Sequence, residues 1–593
     1  MTLAQPVGVS VTADGKAIDG SQLIAVETWS EANRVPRARI TLADGNPASK
    51  AFPLSESAGF VPGTRIVIAA GYGPKSTTIH SGIVVRHSLK IMPGAKAALV
   101  VETADPLVKM TLARNSGVTL QASDKDLIAA LLAANGGKVG TNSAGTTPRE
   151  AIVQYDASDW DLMLLRAEAS GCVVLVEDGT ASIVSPASSS EPVLTIEYGD
   201  AVVSLEATID SLSPLSQSAA KSRSWSYAEQ KTAEGAAASA DVTVPGNLDP
   251  AKLAGVFSVA PFRQQAGAAV AAAELADWSA ARLMRSKLAA VQGSVEFQGS
   301  AAAKPGTFVS LAGLGARFNG NAFVASVRHL IRDGRWKTIA GFGMAADSFA
   351  SLSEGVAAPS AAGLMPPIRG LHTGLVKQVA VDPAGDCRVL VTLPLTGDEK
   401  GVWARLGQFY ASKGFGAVFY PEVGDEVVLG FMDEDPANPV ILGSLYSRQR
   451  APAPAFPPSE ANDLKALVTR SGLVISFDDK DVVLEITTPK GRKIRLDDKS
   501  GEVKISDPFN NLVTMTEDKV DIVSGAALSL TSKTDMTIKA GKNLTVEATG
   551  NYELSAKQIT ATAATALTLA SKGMGELSAK AVLTVKGQPV MIN

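Results

Sequence analysis

Residues 520–593 read VDIVSGAALSLTSKTDMTIKAGKNLTVEATGNYELSAKQITATAATALTLASKGMGELSAKAVLTVKGQPVMIN, and this stretch decides the fold. In steps of eight, with a single step of seven, it repeats a unit in which two mostly apolar residues flank one small or polar residue. The pairs are Val520/Ile522, Leu528/Leu530, Met536/Ile538, Leu544/Val546, Tyr552/Leu554, Ile559/Ala561, Leu567/Leu569, Gly575/Leu577 and Leu583/Val585. Alternation within each unit predicts a short strand with one buried face. The units are also too short to be helices.

Two inward side chains per unit make a ribbon too narrow to enclose a core of its own. Three chains wound around a common axis would complete the core and pair every strand edge, so we predict an intertwined trimeric β-helix or prism. The rival interpretation is a single-chain β-solenoid with 24-residue coils, which a mass in solution would distinguish. The predicted trimer core comprises Leu528, Leu530, Met536, Ile538, Leu544, Val546, Tyr552, Leu554, Leu567, Leu569, Leu583 and Val585.

Composition excludes several classes of protein. The 55 basic and 59 acidic residues are nearly balanced, which argues against nucleic acid as a partner. Cys172 and Cys387 are far apart in sequence, so we expect two buried thiols rather than a disulfide framework. The chain has no apolar stretch of 18 residues and no basic start followed by an apolar run, so we expect a soluble protein made in the cytoplasm without a signal peptide.

Residues 1–360 combine strand and helix signals and predict an α+β body built around β-barrels. Predicted strands are Arg37 to Leu42, Arg65 to Ala70, Ile79 to Val85, Ala98 to Glu102, Val173 to Glu177, Phe323 to Val327 and Lys337 to Ala340. Predicted turns are Ala43 to Asn46 and Arg332 to Gly334, and predicted loops are Asn142 to Thr147 and Ser213 to Asp241. Helices are predicted at Ser123 to Asn135, at Ser158 to Ser170 with Leu162, Leu164 and Leu165 buried, and from about Gln265 to Leu288.

The rest of the chain divides into four parts. A linker at 361–370 precedes a compact unit at 371–450 whose short strands predict a small closed barrel of the OB type. Its predicted strands are Gly374 to Val381, Cys387 to Leu393, Val402 to Leu406, Gly416 to Tyr420, Glu426 to Phe431 and Val440 to Leu445. A Pro/Ala-rich spacer at 451–470 leads to a β-helix spike at 471–593, in which strands recur at spacings near ten before the repeat of eight begins.

The barrel carries a family signature. The stretches that carry it are Val402 to Arg405, Gly414 to Ala417, Tyr420 to Val427, Gly430-Phe431 and Pro436 to Tyr446. They resemble the OB-fold motif of VgrG spike proteins, which belong to contractile injection systems and are related to phage tail-hub and cell-puncturing proteins. Further similarity to the VgrG N-terminal region lies at Gln154 to Trp160, Glu168 to Gly171, Gly320 to Val324, His329 and Gly334 to Thr338.

The resemblance implies an architecture and a set of partners. Such proteins are homotrimers whose N-terminal hub of paired barrels joins a hexameric inner tube and baseplate proteins to a threefold spike. Expected further partners are a PAAR-type tip protein, cargo effectors and, transiently, the target membrane. The segment Val391 to Thr396 departs from the Phe-Pro-Trp-Asp segment of many type VI spikes, and Pro421 to Glu426 is closer to spikes of extracellular or membrane-anchored phage-tail-like particles. We therefore expect the latter subtype.

Catalytic signals are weak. His80, His87, His329 and His372 lack metal-ligand spacing, and we expect no metal and no cofactor. The carboxylates at Asp433 to Asp435, at Asp478 to Asp481 and at Asp497-Asp498 fall between strands, where turn formation is the usual role of Asp. The barrel aromatics, which would stack bases in a nucleic-acid reader, are interpreted as core or trimer contacts: Trp403, Phe409, Tyr410, Phe415, Phe419 and Tyr420.

The prediction is therefore a non-enzymatic central spike that transmits sheath contraction and is delivered out of the cell or into a target cell on firing. The alternative is a tailspike-like carbohydrate-active β-helix enzyme. A ladder that ends leaves unpaired strand edges, and an apolar triplet follows Pro589 at the end of the sequence. We predict that the tip protein docks on Gln588, Pro589, Val590, Met591, Ile592 and Asn593.

Overall fold

The computed structural model describes residues 6–94, 96–186, 191–215, 220–236, 241–257, 262–353, 355–397 and 399–592. The chain forms two compact units, Met1–Leu445 and Tyr446–Asn593. Strand is the main secondary structure of both units.

The first unit begins with seven strands: β1 (Val7–Ala13), β2 (Lys16–Ala17), β3 (Leu23–Glu31), β4 (Arg37–Ala43), β5 (Arg65–Tyr72), β6 (Thr77–Met92) and β7 (Lys96–Ala104). The next group mixes both types: β8 (Arg114–Ala122), α1 (Asp124–Ala134), β9 (Lys138–Asn142), β10 (Arg149–Ser158), α2 (Asp159–Ala169), β11 (Val173–Glu177) and β12 (Thr180–Val184). A third group follows: β13 (Leu194–Glu197), β14 (Val202–Ile209), β15 (Ala220–Ser226), β16 (Lys231–Ala236), α3 (Pro250–Gly255), β17 (Phe262–Ala266), α4 (Ala272–Leu288), β18 (Val291–Gln298), β19 (Phe308–Ala312), β20 (Gly320–Arg332), β21 (Arg335–Phe342) and α5 (Phe349–Leu352). Short 3-10 turns lie at Gly20–Gln22, Ala58–Phe60, Pro106–Thr111, Ser360–Gly363, Pro394–Thr396 and Met432–Glu434.

One 13-stranded sheet packs around two separate cores. Its order is β14-β18-β21-β20-β3-β4-β7-β6-β5-β1-β2, with β19 paired to β20 and β13 paired to β19. The long hairpin β20–β21 serves both cores, because Ile331 and Trp336 near its turn join the core of β1 to β7 while Val327 and Ala340 join the core of β14, β18 and β19. In this part of the chain, for which the resemblance implies paired barrels, the described strands form one continuous sheet with two cores.

Helices α1 and α2 confirm two of the three predicted helices. The Ser123 hydroxyl accepts from the Asp126 backbone N–H, and Ser158 does the same for Asp161, so each helix has the predicted N-cap. Leu165 is only half-buried, whereas its neighbours Leu162 and Leu164 are buried as predicted.

Three predictions for the first unit were wrong in detail. The alanine-rich helix α4 begins at Ala272 rather than near Gln265, since Phe262–Ala266 pairs as β17 with β15. The Ser213 to Asp241 segment is not a loop throughout, because it contains β15 and β16. The turn at Ala43 to Asn46 joins no hairpin, because β4 pairs with β3 and β7 and the chain leaves the sheet there. The hairpin turn at Arg332 to Gly334 is confirmed.

The OB-type barrel is confirmed as a closed five-stranded barrel with the order β22-β23-β24-β28-β27. Its region contains β22 (His372–Gln378), β23 (Val389–Thr392), β24 (Val402–Leu406), β25 (Ala411–Ser412), β26 (Phe415–Gly416), β27 (Glu426–Phe431) and β28 (Pro439–Ser444). Val389, Val391, Val427, Leu429 and Ile441 fill its interior. The predicted strand at Gly416 to Tyr420 was wrong, because only Gly416 lies in a strand, the short β26.

The second unit opens with a seven-stranded antiparallel meander. Its strands are β29 (Leu464–Val468), β30 (Val474–Asp478), β31 (Val483–Thr487), β32 (Lys493–Asp497), β33 (Glu502–Ser506), β34 (Leu512–Met515) and β35 (Val520–Val523), each paired with the next. The predicted strands near Leu473/Ile475, Leu484/Ile486, Ile494/Leu496 and Val503/Ile505 are confirmed. Strand β29 lies inside the segment for which we predicted a spacer.

Residues 524–592 continue the period of eight without strands of their own. The chain bends at 525, 533, 541, 549, 557, 564, 572, 580 and 588, at intervals of eight with one interval of seven. Ser524, Ser532 and Ser571 make the same turn, in which the hydroxyl accepts from the backbone N–H two residues on and donates to the carbonyl three residues on. The turns recur with the apolar pairs, so the repeat seen in the sequence is a repeat of backbone geometry.

Candidate assembly surface

The meander of the second unit has one apolar face two side chains wide. Cross-strand register places Ile475, Ile486, Ile494, Ile505, Val513 and Ile522 in one row. It places Phe477, Leu484, Leu496, Val503, Met515 and Val520 in a second, parallel row. All twelve side chains are half-buried or exposed, since no second layer of the chain lies on them. We call this surface the apolar double row.

The opposite face of the meander is polar and bonded across strands. Arg495 Nη1 lies 3.2 Å from a Glu485 carboxyl oxygen, and Lys493 Nζ lies 3.0 Å from the other. Burial opposes ionisation of Glu485, but hydrogen bonds from Lys493, Thr487 and Arg495 prevail and lower the pKa of its carboxyl. A sheet with one ion-paired face and one uncovered apolar face is typical of one layer of a β-sandwich or one face of a β-prism.

The predicted trimer-core residues follow β35 in sequence. The twelve residues from Leu528 to Val585 are between 53% and 80% exposed in the single chain. No two backbone groups of residues 524–592, all of which the structure describes, hydrogen-bond to each other. A stretch with this much exposed apolar surface and unpaired backbone is a template for further β-pairing.

The apolar double row precedes the predicted trimer core in sequence. The predicted core begins at Leu528, whereas the paired rows begin at Ile475 and Phe477. A signal for this exists in the sequence, because residues 467–485, 486–504 and 505–523 are three hairpin repeats of 19 residues. Aligned on that period, Phe477, Leu496 and Met515 occupy one position.

The predicted docking residues for a tip protein lie at the end of this segment. Val590, Met591 and Ile592 are 46%, 85% and 90% exposed. Gln588 and Pro589 form the last bend of the repeat, and Asn593 lies outside the described residues.

The barrel aromatics were predicted as core or trimer contacts, and the core interpretation was wrong for five of the six. Phe409 is 86% exposed, Tyr410, Phe415, Phe419 and Tyr420 are also exposed, and Trp403 is half-buried. Phe409 stacks on Phe419 with 6.5 Å between ring centroids, and Tyr410 lies tilted against Phe415 at 5.9 Å. Cys387 is exposed rather than buried, whereas Cys172 is buried and its pKa is raised to about 11 by desolvation.

Possible catalytic groups in the described residues have structural roles. The Ser55 hydroxyl lies 2.8 Å from His87 Nε2, and His87 Nδ1 contacts the Phe60 carbonyl, but the Ser55 backbone N–H is already bonded to Asp44. Desolvation lowers the pKa of the buried His80 and His329 to about 4. Asp435, Asp478 and Asp497 accept backbone N–H groups in turns, as predicted. Within the described ranges no three His, Cys, Asp or Glu side chains converge as metal ligands, and no helix there is both long and apolar enough to cross a bilayer.

Two known protein families match different parts of this chain. Residues 4–333 match the family described as Alg8 N-terminal domain. Residues 372–446, which contain the closed barrel, match the family described as Type VI secretion system/phage-baseplate injector OB domain.

Curated relatives match over shorter stretches. The type VI secretion system spike protein VgrG5 of Pseudomonas aeruginosa is 34% identical over 113 residues, which are 16% of this chain and 14% of the relative. VgrG1a of the same organism is 24% identical over 107 residues, 18% of this chain and 14% of the relative. The match thus spans about a seventh of the length of either spike protein.

Among solved structures, the 43 kDa tail protein of prophage MuSo2 from Shewanella oneidensis aligns with 57% of this chain and 98% of its own, at 12% identity and a TM-score of 0.44. Because the family match at residues 4–333 covers more than half of its 593 residues, the chain belongs to the Alg8 N-terminal domain family, and with its injector OB domain it resembles VgrG spike proteins.

Proposed function

We propose that three copies of this chain form the central spike and hub of a contractile injection system, a structural rather than a catalytic component. The observations that carry the proposal are the apolar double row of the meander, which has no cover from its own chain, and the exposed apolar pairs that follow it from Leu528 to Val585. Three such faces turned toward one axis would bury both rows, and their backbones would pair from chain to chain along the repeat of eight.

The mechanism is mechanical. A ladder in which every backbone group is paired with another chain resists bending and unwinding, because local opening must break contacts in three chains at once. Thrust applied at the hub would therefore reach the tip of the spike. The injector OB domain at 372–446 supports this role, since it is the part of the chain that matches baseplate and spike proteins.

The proposal is tested in the assembled particle. A small tag placed after Asn593 and labelled with gold in electron micrographs should mark a single end of each tube. Label along the sheath, or absence of label from particles that contain the chain, would contradict a central spike.

For the C-terminal end we propose a platform that holds a separate PAAR-type tip protein. Val590, Met591 and Ile592 would bring three copies of an exposed apolar triplet together at a threefold axis. Deletion of Pro589 to Asn593 should abolish capture of the tip protein in a pull-down while the trimer stays intact. The control is Lys586→Ala, which keeps the triplet; equal capture by the deletion variant would place the platform elsewhere.

For the hub we propose contacts with a hexameric inner tube and with baseplate proteins. The two-stranded ribbon of β8 and β10 supports this, because Val118 and Val153 are directly paired on it and are 63% and 61% exposed, with Leu120 and Tyr155 beside them. Val153→Asp should weaken co-purification with the tube protein, whereas Lys90→Asp at an exposed polar site should not. Location in an extracellular or membrane-anchored particle, carriage of cargo effectors and transient contact with the target membrane belong to the same proposal.

A further inference from the structure

The two sides of the meander differ in charge. Because the strands alternate in direction, the turns after β29, β31 and β33 lie on one side and those after β30, β32 and β34 lie on the other. The first side consists of residues 469–473, 488–492 and 507–511, and we call it the basic side. The second consists of residues 479–482, 498–501 and 516–519, and we call it the acidic side.

Exposed charged side chains carry this difference, and on the basic side Arg492 also interacts electrostatically with Asp507. On the basic side Lys490 and Arg492 are exposed, and neither makes a side-chain hydrogen bond or salt bridge within the described residues 399–592. On the acidic side Asp498, Glu517 and Asp518 are likewise exposed and unbonded through their carboxylates. Two of the three lysines there are already engaged, Lys499 with Asp481 at 2.6 Å and Lys519 with Asp521 at 2.7 Å.

An apolar groove of about 400 Å³ lies next to the basic side. Ile486, Ile494, Ile505 and Val513 form its floor, and Arg492 and Asn511 stand at its rim. The acidic side offers an apolar side chain of suitable size in Val482, which is 56% exposed. Val482 has a φ of 54°, a strained value for a β-branched residue, whereas Gly501 holds the equivalent position one 19-residue repeat later.

We propose that this groove, with the basic side around it, is the docking site for the acidic side of a second copy of the same chain. The inference rests on the proposed trimer and specifies how its chains meet. Turns on each side recur at every second strand, about 10 Å apart, so the two rows of turns match in spacing. A twofold contact between identical sides would bring like charges together, whereas a closed ring joins unlike sides head to tail at every contact.

The test reverses the charges of the two sides in the full-length chain. One variant carries Lys490→Glu and Arg492→Glu, a second carries Asp498→Lys, Glu517→Lys and Asp518→Lys, and a third carries all five changes. At low salt, each single-side variant should show a trimer fraction about tenfold lower than the wild type at equal concentration, the effect of a few exposed ion pairs. The five-change variant should recover the wild-type fraction. Lys90→Glu with Lys96→Glu, a matched charge change in the first unit, should have no effect.

A mixing experiment adds a readout that misfolding cannot reproduce. A ring of three contains an odd number of contacts, so a mixture of the two single-side variants always leaves one contact between like charges. Mixing should therefore restore trimers less completely than the five-change variant does. Rising salt should weaken the wild type and strengthen each single-side variant, because screening acts on attraction and repulsion alike.

The experiments distinguish failure of this inference from failure of the proposed function. If the wild type is trimeric and the single-side variants assemble equally well, the charged sides do not meet and this inference is wrong, while the proposed function stands. If the five-change variant assembles no better than the single-side variants, the contact is not between these sides and the inference is again wrong. If the wild type itself is a monomer, the proposed function falls and the inference falls with it.

Discussion

The two units of this chain use the same local pattern and arrive at opposite degrees of burial. In the first unit the alternating residues Val26, Ile40 and Leu99 are completely buried. In the second unit Leu528 and Ile538 have the same alternation and are 57% and 69% exposed. Alternation thus specifies which face of a strand is apolar and leaves open what covers it.

The difference lies in what the chain can place on its own strands. Strands of the first unit are up to 16 residues long and pack on two cores. Helices α1, α2 and α4 contribute side chains to two further cores of that unit. Strands of the meander have only four or five residues, and the units after Val523 contribute two apolar side chains each. The first unit can therefore stabilise itself, whereas in the proposed trimer the second depends on other chains, and four experiments follow from this contrast.

The largest effect is expected from a charge in the predicted trimer core. Leu544→Asp would place three carboxylates near one axis, and burial of unpaired charge is costly enough to prevent assembly. SDS-resistant oligomers on a gel should disappear, while the first unit stays folded. Thr545→Asp is the control, because residue 545 lies between the paired positions and points to the other face. Normal oligomers from Leu544→Asp would mean that the wrong face has been assigned as internal.

The two units should also differ in how their stability changes when the pH is lowered mildly. Desolvation lowers the pKa of His80 and His329 in the first unit to about 4, against 6.5 in the unfolded chain. The stability that these residues contribute is complete above pH 6.5 and is lost as the pH falls toward 4, about 3 kcal/mol for each histidine.

The second unit has no histidine and should resist until its carboxylates protonate. The lowered pKa of Glu485 places that loss below about pH 4.3, the value for an unperturbed glutamate. Hydrogen exchange followed by mass spectrometry at pH 7 and pH 5, corrected for the intrinsic pH dependence of exchange, should show opening of β5 to β7 and β20–β21 before residues 464–523. Simultaneous opening of both units near pH 6 would contradict the contrast.

A third experiment compares equal truncations in the two units. Leu99→Ala removes a fully buried side chain and should lower the free energy of unfolding by roughly 2–5 kcal/mol at any protein concentration. Leu530→Ala should act through association, so its effect on the melting temperature should grow as the protein is diluted. Concentration-independent effects of both variants would show that the second unit makes its core within one chain.

The smallest effect concerns the turns of the meander, which form within one chain. Val482 and Gly501 occupy equivalent repeat positions with φ values of 54° and 66°, and a side chain at Gly501 would meet no atom within 4 Å. Gly501→Val should therefore cost about 1–2 kcal/mol through backbone strain alone. Val482→Gly should relieve the strain at that position but weaken assembly, because Val482 is the side chain proposed to enter the groove of a second copy. Trimers of Val482→Gly that are as stable as those of the wild type would contradict that docking.

Local signals explain what could be predicted from the sequence. Helix α1 follows from Ser123 and Asp126, which cap each other across one turn, and the hairpin of β20 and β21 follows from Asp333-Gly334. The OB-type barrel was found because its short strands and turns lie close together in sequence. The period of eight was visible because each unit repeats its own turn.

Nonlocal pairing explains most of what was missed. Strands β15 to β17 lie in Ser/Ala-rich sequence and pair with one another. Helix α4 packs against them, and its Ser279 hydroxyl donates to the Gly235 carbonyl of β16. Phe262–Ala266 adjoins an alanine-rich segment that favours helix, yet parallel pairing with β15 holds it as a strand. The rows from Ile475 to Met515 become apparent when the strands are aligned side by side, because the sequence of one strand does not show which residues lie beside it.

The oligomeric state of the full-length protein is measured by its mass in solution. Sedimentation equilibrium at low micromolar concentration should give about three times the chain mass of 61.1 kDa, because in the proposed trimer the other two copies cover the apolar double row. A stable species with the mass of one chain would contradict the account and would favour a solenoid that closes within a single copy.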